Sequence, residues 1–119
     1  MFDIAFIYME NTLKKGRYRW IVFKKGTEWT GAALEFNIVQ VGDDPHLVYL
    51  ELQEAVRGYI EAAQKIKGFR EKAVSPILNQ KSDEEYESLW NRIQSATQKQ
   101  NAALPAHVFN FGMRNLAVA

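Results

Sequence analysis

An α+β fold, a small antiparallel sheet of three or four strands covered by one long helix with a shorter C-terminal helix added, is what the sequence predicts. Three observations carry it. Apolar residues alternate with period two from Arg17, they recur at three- and four-residue steps beyond Pro45, and a second helical stripe follows Ser82. At 119 residues and 47% hydrophobic, the chain is expected to form a single domain, residues 1–119, that buries a core unaided. Residues 17–68 read as a β-β-β-α core. Residues 69–119 read as an extension with one helix and a last strand.

In "RYRWIVFKK" Tyr18, Trp20 and Val22 share one face of the first strand, and Arg19, Ile21 and Phe23 share the other. Gly26 supplies the turn into "WTGAALEF". There Leu34 and Phe36 are expected beside Ala32, while Gly31 and Ala33 keep the opposite face flat for close packing. "IVQVG" is short and β-branched, a third strand. At "DDP" the sheet gives way to a helix. Asp44 is the N-cap, Pro45 occupies the first helical position, and the acids suit the positive end of the helix dipole. Val48, Leu52, Ala55, Val56, Tyr59, Ala63 and Ile66 make its apolar face, and Gly68 its stop. After a segment broken by Ser75-Pro76, "SDEE" predicts a capping box from Ser82 to Glu85. Tyr86, Leu89, Trp90, Ile93 and Ala96 then stripe the second helix. "HVFNFGM" alternates as the last strand, with His107, Phe109, Phe111 and Met113 on one face.

Charge is distributed in blocks although the net is only +1. Residues 14–25 hold six bases and no acid, residues 28–61 hold seven acids against Arg57 alone, and residues 62–81 are basic again. Such blocks either cancel within the fold or leave a charged face for a partner. The absence of cysteine excludes disulfides, thiolate metal sites and cysteine nucleophiles. His46 and His107 stand far apart with no second ligand at metal spacing, no phosphate-cradling glycine loop occurs, and no serine lies in a nucleophile elbow. A non-enzymatic protein without cofactors is therefore expected. The N-terminus carries Asp3 among its apolar residues and no basic leader, so a cytoplasmic location is the default.

The segments "RYRWIVFKK", "WTGAALEF", "NIVQVGDD" and "LQEAVRGYIEAA" resemble the HicB-like antitoxin family over about residues 17–66, with Gly42 and Asp43 matching its Gly-Asp before the helix and Glu54 and Ala55 its pair in the middle of the helix. The resemblance implies a truncated ribonuclease-H-like fold that has lost nuclease chemistry and binds a small basic toxin that degrades messenger RNA. The family's usual Thr or Ser after Gly-Asp is Asp44-Pro45 here. Residues 69–119 hold one clear helix, so the DNA-binding helix-turn-helix of many members is not expected.

Under this reading Glu28, Glu35, Asp43, Asp44, Glu51 and Glu54 are the partner-binding candidates, and sheet edges are the contact for a homodimer or higher homo-oligomer. The alternative is an RNA or single-stranded nucleic-acid-binding module using Arg17, Tyr18, Arg19, Trp20, Lys24 and Lys25, in which aromatics interleave with cations. The bland reading of that stretch is an edge strand, one face in the core and the arginines keeping the other soluble. A small enzyme with a site assembled at an oligomer interface is a third possibility.

Overall fold

Four antiparallel strands lie in the order β3-β2-β1-β4, with a helix against each face of the sheet. The computed structural model describes residues 10–12, 15–66, 75–99, 104–105 and 107–116. Strands β1 (Arg17–Lys25), β2 (Glu28–Ala33) and β3 (Ile38–Gly42) form a meander, followed by α1 (Pro45–Gln64), α2 (Glu84–Gln98) and β4 (Val108–Asn115). The α+β reading holds, and the two helices take opposite sides.

Strand β1 is central, not an edge, because β4 returns to pair along it from Arg17↔Asn115 to Phe23↔Val108. Both of its faces are therefore covered. Tyr18 and Trp20 pack toward α1 with Phe36, Leu52, Val56 and Tyr59. Ile21 and Phe23 pack toward α2 with Ala32, Leu34, Trp90 and Ile93. The hairpin turns at Gly26, whose φ of 64° suits a residue without Cβ.

Strand β2 is shorter than its alternation implies. It stops at Ala33, and Leu34–Phe36 wind into a 3-10 turn closed by Asn37 in the left-handed region. The turn carries Phe36 to the α1 side, so it parts from Ala32 and Leu34, which stay on the α2 side. The flat surface at Gly31 is as expected. A side chain there would press on Val48 and Leu52, so the glycine sets how closely α1 approaches.

The α1 N-terminus forms as the sequence implies. Asp44 accepts hydrogen bonds from the backbone N–H of His46 at 2.9 Å and of Leu47, and Pro45 opens the helix. Helix α1 ends at Gln64, with the Lys65 N–H on the Ala62 carbonyl. The stop assigned to Gly68 lies outside the described residues. The cap of α2 is displaced by one residue from expectation. Asp83 receives the Glu85 N–H at 2.8 Å, and Ser82 instead donates to Glu87 at 2.8 Å. Aspartate here competes successfully with serine because its carboxylate also meets the helix dipole.

Strand β4 shifts register between Val22 and Phe23, so a residue is inserted and the simple alternation fails at its start. Val108 joins Phe111 on the α2 side, while Phe109 meets Trp29 edge-on at 6.0 Å. On the α1 side Trp20 lies directly over Gly112, its indole N–H donating to Asn110 at 3.3 Å.

Buried Asn11 joins the chain before β1 to the 3-10 turn at Pro76–Leu78. Its Nδ2 donates to the carbonyls of Arg17 and Leu78, its Oδ1 accepts from the Arg17 N–H, and its N–H donates to Asn79. Every polar atom of that side chain is satisfied.

Gly112→Ala forces a methyl into the Trp20 ring and is expected to lower the free energy of unfolding by about 1 to 3 kcal/mol. Gly58, inside α1 with open space where a Cβ would sit, should respond oppositely, Gly58→Ala adding about 0.5 to 1 kcal/mol. Urea denaturation of the two variants measures both.

Candidate protein-binding surface

The six acidic candidates separate into two groups. Glu35, on the 3-10 turn, is held by Arg19: its Oε1 accepts the Arg19 backbone N–H at 2.7 Å and its Oε2 the Nε–H at 2.8 Å. Arg19 extends to Glu87 on α2 through two more bonds, at 2.9 and 2.6 Å, and its guanidinium lies 5.6 Å from the centre of the Trp90 ring. The side chains of Arg19 and Glu35 are only 12% and 19% exposed. This is a structural ion triad in the α2 layer. Burial works against charge on Arg19, but the carboxylates of Glu87 and Glu35 outweigh it and raise its pKa. Burial likewise works to raise the Glu87 carboxyl, and the Arg19 and Ser82 hydrogen bonds more than reverse it, leaving its pKa below the ordinary 4.5.

Asp44 and Glu54 are occupied locally, the first as the α1 cap and the second with Arg57 one turn along the helix. Glu28, Asp43 and Glu51 are exposed. The β2–β3 register pairs Trp29 with Gly42, so Glu28 and Asp43 follow at the same end of the sheet, where α1 begins. Leu47, 52% exposed, stands on the first turn of α1 and is one helical turn from Glu51, while Val41 of β3 is 49% exposed. Val41 shares the α2 face of the sheet with Thr30 and Ala32, whereas Leu47 belongs to the helix on the other face, so the acids gather at this end of the sheet without a common apolar patch.

The basic stretch is not assembled as a stacking platform. Tyr18 is buried and donates to Gln53 at 2.6 Å, Trp20 is half-buried against Tyr49, and Arg19 belongs to the triad. Burial raises the Tyr18 pKa, keeping it a neutral donor. Arg17, Lys24 and Lys25 are exposed. Lys24 lies over Trp29, and Lys25 pairs with Glu85 at 2.9 Å. The arginine face of β1 is thus a second packing face, contrary to the edge-strand expectation.

A cleft of about 720 Å³ runs between α1 and β4, lined in part by Leu50, Gln53, Arg57, Ile60 and Arg114. Arg114 stacks on Trp20 at 5.5 Å and donates to Gln53 and to Tyr49. Sequence reasoning missed this cluster and the role of Glu87, since both depend on where β4 and α2 dock. Among the described residues, no group of three or more His, Asp or Glu is placed to hold a metal ion. None of their helices is long and apolar enough to cross a membrane. Comparison with protein-family models, curated proteins and solved structures finds no match to the chain.

Arg19→Met strands the Glu35 and Glu87 carboxylates and is expected to cost about 3 kcal/mol of stability. Because the folded pKa of Glu87 is depressed, its contribution is complete above the unfolded value and is lost as pH falls through the folded one. The acid limb of thermal stability should therefore be flatter in Glu87→Gln than in the wild type, as calorimetry between pH 6 and pH 3, roughly the carboxylate range, will show.

Proposed function

We propose that this chain is a non-enzymatic, cytoplasmic HicB-like protein that binds and neutralises a small basic toxin, one that degrades messenger RNA. The carrying observation is the group of exposed acids Glu28, Asp43 and Glu51 at the end of the sheet where α1 begins, with exposed Leu47 one helical turn from Glu51. Acids gathered at one end of the fold steer a cationic protein and fix its orientation. Arg19 and Lys25 of β1 form their ion pairs with Glu35, Glu85 and Glu87 rather than with these acids. The burial of Tyr18 and Arg19 also favours protein binding over the nucleic-acid alternative.

The test is affinity capture of the tagged chain from native lysate, with and without nuclease, followed by mass spectrometry. A small basic protein retained after nuclease is the expected outcome. Charge reversal at Glu28, Asp43 and Glu51 together should then slow association by about tenfold or more at low salt, whereas Glu54→Gln should leave it nearly unchanged. Capture of nucleic acid alone would overturn the reading.

A further inference from the structure

We infer that the cleft between α1 and β4 is a binding site for a small monocarboxylate with an apolar body, its carboxylate seated on Arg114. The volume of about 720 Å³ falls within the roughly 300 to 1,000 Å³ of small-molecule sites. One wall is a single stripe of α1, in which Leu50, Gln53, Arg57 and Ile60 recur at three- and four-residue steps. Tyr18 and Arg114, paired across β1 and β4, line the other.

Arg114 is held in place before any ligand arrives. Its guanidinium stacks at 5.5 Å on Trp20 and donates to Gln53 Oε1 at 3.2 Å and to the Tyr49 hydroxyl at 3.3 Å. None of these partners is a carboxylate. The other arginine among the described lining residues, Arg57, is bound by Glu54 one turn away, whereas Arg114 forms no ion pair among the described residues and keeps N–H donors beyond the two it uses. A fixed planar cation with donors to spare suits a carboxylate, which its fork meets through two parallel bonds.

Gln53 adds a second donor. Its Oε1 accepts from both Tyr18 and Arg114, and because a guanidinium only donates, the amide nitrogen cannot take the oxygen's place. That nitrogen, Nε2, is buried and finds no acceptor among the described residues. A buried amide donor left so is costly, and an oxygen brought to the neighbouring guanidinium is the acceptor at hand. Around these polar groups the stripe is apolar. Leu50 is 46% exposed one turn before Gln53, and buried Val56 and half-buried Ile60 follow it. From Leu50 to Ile60 the helix rises about 15 Å, room for an aliphatic or aromatic body. Charge limits the ligand to a monoanion. Glu61, on the same wall two turns beyond Gln53, has no ion pair among the described residues and opposes a second negative group there. The cleft shares no residue with the Glu28, Asp43 and Glu51 group, so the inference does not depend on the identity of the basic partner.

Isothermal titration calorimetry of the full chain with octanoate and with phenylpropanoate tests the site. Saturable binding of at least one acid, at one site per chain, is the expected result, with the corresponding uncharged primary amide weaker by about tenfold or more. Arg114→Met keeps an unbranched side chain over Trp20 and should weaken binding by about tenfold or more. Leu50→Glu, at an exposed position, should abolish it. Lys24→Met removes a cation from outside the described lining of the cleft and should bind as the wild type does. Far-ultraviolet dichroism checks that each variant is folded. Saturable binding of neither acid, amides that bind as tightly as the acids, or undiminished binding by either Arg114→Met or Leu50→Glu would overturn the assignment.

Discussion

An arginine stands near the start of the interior strand β1, just beyond the end of β2, and the α2 side of the molecule is arranged around it. A cation on a covered sheet face is tolerable only when its desolvation is compensated by carboxylates with good geometry. Arg19 receives two: Glu35 from the 3-10 turn that ends β2, and Glu87 from the first turns of α2. Satisfying it therefore couples three separate stretches of chain. Strand β2 has to end early so that Glu35 can turn back, and α2 has to be set down with Glu87 and Trp90 on either side of the guanidinium. Ser82 donates to the same Glu87 Oε1 that accepts from Arg19, which explains why Asp83 is left to cap the helix. Such a network adds little net stability over an apolar core, but its loss is costly, and its directionality suits it to fixing the position of α2.

The α1 side solves packing without charge. Gly31 lets the helix descend onto β2, and Gly112 lets the Trp20 indole lie flat on β4, where Tyr49 and Arg114 enclose it. Bulk on β1 is thus matched by its absence on both neighbouring strands, as close packing requires. Tyr18 completes this layer by meeting Phe36 at 5.4 Å and donating its hydroxyl to Gln53.

What could be read from the sequence was whatever depends on near neighbours. Asp44-Pro45, the Val48–Leu52–Val56 stripe and the "IVQVG" strand are set by local propensity and periodicity, and each is found where it was expected. What could not be read depends on docking. Alternation places Arg19 opposite Tyr18 and Trp20 but does not say whether that face meets water or a helix, and only the return of β4 makes β1 central. Phe36 and Phe109 depart from their expected faces for a related reason: a 3-10 turn and an inserted residue each break period two without a proline or glycine to announce it. Glu87 was illegible as a partner of Arg19 because 68 residues separate them. Of the acidic candidates, Glu35 was the misleading one, its charge spent inside the fold.

The alternating charge blocks cancel in part, by an unforeseen route. The bases of β1 meet acids of α2, at Glu85 and Glu87, more than acids of the neighbouring strands. This leaves Glu28, Asp43 and Glu51 without an ion pair among the described residues, at the end of the sheet where α1 begins, so the charge that the sequence distributes in blocks survives as a local excess of acid there.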